Sequence, residues 1–197
     1  MRKMLLFLGC FCLIVFLIFH YKTSKNGNNI FNKTQEEIID YILSDVKSYT
    51  ANMDVTIYSN KTEITYKIKQ SVAEGRCIQE ILSPDNIKGL KIELLGNSLR
   101  ITNTSLNLEK IYEEYDVVLN NSLFLNVFIE DYKNNTSKSY EDNNEIILET
   151  KIDNNKNTYA QYKELHIDKL TKKITGLIIK DNNKKTRINI KYNDIEI

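Results

Sequence analysis

Behind Thr34, the apolar residues Ile38, Ile39, Ile42, Leu43 and Val46 recur at helical spacing. Residues three and four apart share one side of a helix, so these five form a single stripe. Thr34-Gln35-Glu36-Glu37 in front of them reads as a capping box, in which the threonine accepts from an amide three residues on and the glutamate reaches back. The spacing predicts an amphipathic helix over about 35–48. At Tyr49 the period changes to two. Ala51, Met53, Val55 and Ile57 alternate with polar neighbours, and Ile64, Tyr66 and Ile68 do the same after Ser59-Asn60-Lys61. This predicts a hairpin with one dry face and one wet face. A third strand is expected over Arg76–Leu82, ended by Ser83-Pro84, and a further hairpin over Leu90–Leu95 and Ser98–Thr102 about Gly96-Asn97.

Leu106–Val118 fits neither period cleanly. Beyond it, Ser122 is placed to cap a second helix with Leu125, Phe128, Ile129 and Tyr132 on one stripe and Leu123, Phe124 and Val127 beside it. Four strand-like runs follow: Glu145–Lys151, Tyr159–Asp168, Ile174–Lys180 and Thr186–Tyr192, separated by Asn- and Asp-rich turns. The fold class is α+β. A curved antiparallel sheet with helices on its concave side satisfies the order; a closed barrel and a two-layer sandwich are the alternatives.

The first twenty residues differ from all of this. Arg2 and Lys3 precede an uncharged apolar stretch, Met4–Phe19. As a helix it would span roughly 24 Å, short of the roughly 30 Å of a bilayer core. A basic flank before a short apolar run is the pattern of an export signal. Residues 1–20 are therefore read as a signal or membrane anchor, 21–33 as a flexible linker, and 34–197 as one domain. Cys10 and Cys12 sit one residue apart in the apolar stretch. That spacing suits neither a disulfide nor, without further ligands, a metal site. Cys12 reads as apolar filler. Leu8-Gly9-Cys10 resembles the end of a bacterial lipobox, which makes Cys10 the candidate for lipidation. The apolar run continues past it, as in an uncleaved anchor, and both readings stand. Either one tethers the domain outside the cytoplasmic face.

Charge narrows the function. The chain has 27 basic and 26 acidic residues, and Arg2, Lys3, Lys22 and Lys25 all precede the domain, which is left slightly acidic. A nucleic-acid binder would carry a basic excess. Cys77 is the domain's one cysteine and His166 its one histidine. Neither reads as a nucleophile–base pair: Cys77 is expected as a half-buried inert thiol, His166 as an outward strand residue. The neighbouring carboxylates Glu113-Glu114 and Glu130-Asp131 read as solvated faces, since adjacent residues do not face one another. No catalytic set, metal site or cofactor loop is expected. A binding or scaffolding domain remains.

Specific stretches carry a resemblance. SYTANMDVTIYSNKTEITYKIKQ, QEILSPDNIKGLKIELLGNSLRITNTSLNLEKIYEEY, NSLFLNVFIEDYKNN and KKTRINIKYNDIEI resemble the clostridial germination lipoproteins of the GerS family. The layout is similar, more distantly, to the LolA/LolB lipoprotein-carrier fold, an open half-barrel with helices across its mouth. The resemblance implies a non-catalytic lipoprotein of sporulation, located in the spore envelope between the forespore membranes. Its implied partner is CwlD, a zinc-dependent N-acetylmuramoyl-L-alanine amidase that modifies spore-cortex peptidoglycan. The carrier fold implies an alternative, in which Phe124, Val127 and Phe128 line a cavity that holds an acyl chain. Self-association is left open.

Overall fold

The computed structural model describes residues 34–96, 98–113, 123–152 and 159–197. The signal or anchor segment, the linker, Cys10, Ser122 and the turn at Asp153–Lys156 lie outside them. The chain divides into two units, Met1–Ile39 and Asp40–Ile197. The capping box forms in the first. The amide of Thr34 donates to Glu37 Oε2 at 2.8 Å, and the amide of Glu37 donates to Thr34 Oγ1 at 3.3 Å. Helix α1 spans Gln35–Asp45, ending three residues earlier than its apolar spacing predicts. Ile38, Ile39, Ile42 and Val46 are buried, as the stripe requires. Among the described residues no helix is long and apolar enough to cross a membrane.

The second unit holds an eleven-stranded sheet and helix α2, Leu125–Asn134. The strands are β1 Tyr49–Tyr58, β2 Glu63–Ala73, β3 Arg76–Ser83, β4 Lys91–Leu95, β5 Ser98–Asn103, β6 Leu108–Tyr112, β7 Thr136–Asp142, β8 Glu145–Lys151, β9 Tyr162–Asp168, β10 Ile174–Lys180 and β11 Thr186–Glu196. Their order is β6-β5-β4-β3-β2-β1-β11-β10-β9-β8-β7. Every neighbouring pair is antiparallel. The sheet is open: β6 and β7 end it and do not meet, which removes the closed-barrel alternative. Two meanders, β1–β6 and β7–β11, share one seam, where β1 pairs with β11 from Thr50↔Glu196 to Ile57↔Ile188.

Alternation built the centre as expected. Tyr49, Ala51, Met53 and Val55 are all buried, opposite Ile68, Ile190 and Tyr192, which are buried too. Gly176 lets β10 lie close to β11, since a Cβ there would sit 3.0 Å from the carbonyl oxygen of Ile190. The alternation overreaches at the first hairpin's tip. Ile57 and Ile64 pair with each other yet are 40% and 45% exposed, because they lie next to the turn at the far end of their strands. Strand β6 emerges from the ambiguous segment, and β7 was not expected at all. Both are outermost strands with mostly exposed side chains, so neither carries an apolar period.

Helix α2 docks on one face of the sheet through Leu125, Phe128 and Ile129, all buried, with Tyr132 against Phe128 at 5.9 Å between ring centroids. The residue before α2 is Phe124, which offers no side-chain cap. The Tyr49 hydroxyl from β1 serves instead: it accepts from the Leu125 amide at 3.0 Å and donates to Gln70 Oε1 at 2.6 Å. Gln70 is fully buried and donates from Nε2 to the Leu123 carbonyl at 3.3 Å. A helix's first amides need partners, and here they come from 76 residues away. Burial pushes the Tyr49 phenol well above its ordinary pKa, so it stays a neutral donor.

Asp131, expected on a solvated face, instead holds the other side of α2. Its Oδ2 lies 2.5 Å from Nζ of Lys163 on β9, a side chain only 2% exposed. The Asp131 carbonyl accepts from Thr150 of β8 at 3.2 Å, and Lys133 Nζ reaches the Leu43 carbonyl at 2.8 Å. Breaking one partner of a buried pair strands the other charge, at a typical loss of about 3 kcal/mol, whereas apolar replacement of both costs much less. Asp131→Ala is accordingly expected to lower stability by about 3 kcal/mol in urea denaturation. The double variant Asp131→Ala/Lys163→Met recovers most of the loss; a double loss equal to the sum of the two single losses would show that the two side chains are uncoupled.

The β10–β11 turn is held by Asp181, which is buried. Desolvation pushes its carboxyl up. The Lys185 and Asn183 amides, both at 2.9 Å, and the Arg187 guanidinium at 2.8 Å push it down and prevail, leaving the pKa below its ordinary value. A carboxyl with a lower pKa folded than unfolded stabilises above the unfolded pKa of about 3.9, and that contribution fades as pH falls through the folded value. Urea midpoints measured from pH 7 to pH 2.5 are expected to fall on acidification. The fall is shallower in Asp181→Asn, which is already weaker at pH 7; parallel pH profiles would refute this role.

Candidate binding surfaces

The domain's two reactive side chains cannot cooperate. Cys77 on β3 shares its row with Val72 and Tyr49 on the α2-facing side. His166 on β9 points to the opposite face. Five strand spacings also separate β3 from β9, roughly 24 Å. Burial raises the Cys77 thiol pKa, which keeps it protonated and a poor nucleophile. His166 is held by carboxylates, its Nδ1 at 2.8 Å from Glu145 Oε2 and its Nε2 at 3.9 Å from Glu164 Oε2. Among the described residues there is no group of three or more His, Cys, Asp or Glu side chains fit to hold a metal.

Around His166 the outer face of β7–β10, away from α2, is a ladder of ion pairs. Glu149 and Glu164 are directly opposed across β8 and β9. Like charges in that position repel. Lys138 answers Glu149 at 3.2 Å and Lys180 answers Glu164 at 2.6 Å, each from an adjoining strand. The carboxylates of this face are answered by lysines, while His166 Nε2 has no hydrogen-bond partner among the described residues.

The proposed cavity-lining residues lie at the start of α2. Phe124 and Phe128 are 2% and 0% exposed, and Val127 is half-buried. The two phenyl rings are packed into the core rather than presented to a surface.

Two further surfaces stand out. One is the pair of sheet edges, β6 and β7, each paired with a single strand among the described residues. The other is a polar groove of about 490 Å³ on the outer face of the β6 end, walled by Arg76, Lys91, Glu93, Arg100, Thr102 and Glu109 with the turn that follows β5. Its signal was present in the hairpin about Gly96-Asn97. Lys91, Glu93, Arg100 and Thr102 occupy the polar positions of that hairpin, and its register sets Glu93 opposite Arg100 and Lys91 opposite Thr102.

Residues 1–197 match a family described as sporulation protein YdcC-like. The chain belongs to that family. No curated protein matches it by sequence. Among solved structures, it is similar to the GerS lipoprotein from the complex with the CwlD amidase of Clostridioides difficile, with a TM-score of 0.54 and 22% identity over 84% of this chain and 97% of that one. A conserved protein from Thermus thermophilus aligns with a TM-score of 0.51 and 11% identity, over 83% and 87%. A LolA-superfamily protein from Nitrosomonas europaea aligns more loosely, with a TM-score of 0.43 and 14% identity, over 82% and 90%. At these identities the likeness is one of fold. The GerS resemblance read from the sequence thus reappears in the backbone.

Proposed function

We propose that this YdcC-like protein is a non-catalytic, membrane-tethered binding module of sporulation that supports a cortex amidase of the CwlD kind. The observation that carries this reading is the fold match to GerS, a lipoprotein whose structure is known in complex with that amidase. The separation of Cys77 and His166 onto opposite faces supports a binding role over catalysis. The outermost strands β6 and β7 suit a protein partner, since a sheet edge is where a partner's strand can be added. The alternative, an acyl carrier with Phe124, Val127 and Phe128 around its cavity, is less well supported because two of the three are sealed in the core.

Co-expression tests the reading. The organism's own cortex amidase is expected to co-purify with the full chain and to lose most of its activity or solubility when made alone. An amidase equally soluble and active without the chain would overturn the proposal. We also propose that Cys10 carries the lipid of this tether. Intact mass of the native protein is then expected to show a lipid-modified chain beginning at Cys10. A mass that retains Met1 would assign the segment to an uncleaved anchor instead.

A further inference from the structure

The outer-face groove at the β6 end has an arrangement that strand addition at an edge does not explain. Arg76 directs both Nε and a terminal nitrogen to the same oxygen of Glu93, Oε1, at 2.6 and 2.5 Å. Arg100 does the same to Glu109 Oε1, at 2.9 and 2.5 Å. Each guanidinium thus engages one carboxylate oxygen and leaves the other. Among the described residues, Glu93 Oε2 and Glu109 Oε2 have no hydrogen-bond partner, and neither do Lys91 Nζ or the side chains of Thr102 and Asn107. The register brings these groups together, with Glu80, Lys91, Thr102 and Glu109 in one cross-strand row and Glu93 and Arg100 in the next.

We propose that this groove binds a carboxylated sugar, with Lys91 receiving the carboxylate and Glu93 and Glu109 accepting hydroxyl groups. The chemistry selects the ligand. One free ammonium calls for one anionic group. The two carboxylate oxygens not engaged by arginine are strong acceptors, to which a hydroxyl-rich ring can donate. Thr102 and Asn107 can both donate and accept, as a sugar's hydroxyls do. The volume of about 490 Å³ falls in the range of small-molecule sites, on the order of 300–1,000 Å³. The guanidinium pairs bring both glutamates to the groove wall, Glu93 being the better enclosed of the two.

Calorimetric titration of the full chain in detergent tests the site. The probes are glucuronic acid and N-acetylmuramic acid, with N-acetylglucosamine, acetate and N-acetylglutamate as comparisons. At least one acid sugar is expected to bind saturably, and more tightly than any comparison compound. Lys91→Ala and Glu109→Gln are each expected to weaken it roughly tenfold, the loss of one charge-assisted contact. Thermal melting of both variants establishes that they fold. Should either unfold, Thr102→Val is substituted, with the same weakening expected. The proposal fails if neither acid sugar binds at tens of millimolar, if folded variants bind as the parent does, or if acetate or N-acetylglutamate binds as well as the sugars. Amidase co-purification is read separately, so either proposal can fail without the other.

Discussion

The pairing of β1 with β11 holds this domain together. Each meander alone would be a five- or six-stranded sheet with an additional free edge, and the buried set Met53, Val55, Ile190 and Tyr192 would lose its partners. The domain has one cysteine, so no disulfide substitutes for that seam. Its stability rests on apolar rows packed across the junction and on the ladder between two strands nearly 140 residues apart. The close approach at Gly176 continues the same requirement one strand further, where β10 must lie tight against β11.

Helix α2 is attached by a different logic. Its apolar side supplies burial, but its orientation is set by polar groups that reach it from the sheet. Tyr49 and Gln70 fix the N-terminal end, and Lys163 fixes the middle through Asp131. Buried polar groups tolerate few alternative placements, because each misplacement leaves a donor or a charge unpaired. The helix is thereby keyed to one register on the sheet, with Phe124 and Phe128 as part of the core.

The central strands were legible because they are buried on one side, and burial writes a period of two into the sequence. The ranges of β8 and β10 were read to the residue. The strands at the margins were not legible for the converse reason. In β7, Thr136–Asp142 buries no side chain, so nothing selects for alternation. The bond from Tyr49 to the start of α2 was not legible because local reasoning looks to neighbours in sequence, while this hydroxyl comes from β1. Asp131 was assigned to solvent from its adjacency to Glu130, yet its place three residues after Phe128 turns it toward the sheet. The groove lay between these cases. Its polar residues were visible as the wet side of a hairpin, but only the ion-pair geometry shows which oxygens are left over.

The order of strands also governs when the fold can form. A ribosome delivers β1 early and β11 last. Strands β2–β6 can pair as they emerge, each beside its predecessor, whereas the far side of β1 stays open until β11 is made. Contacts so distant in sequence are slow to find, and an open strand flank is a template for wrong partners in the interval. Strand β11 is therefore the last component of the sheet's assembly, and a nascent protein lacking only that strand would have built ten of the eleven without the seam that joins them.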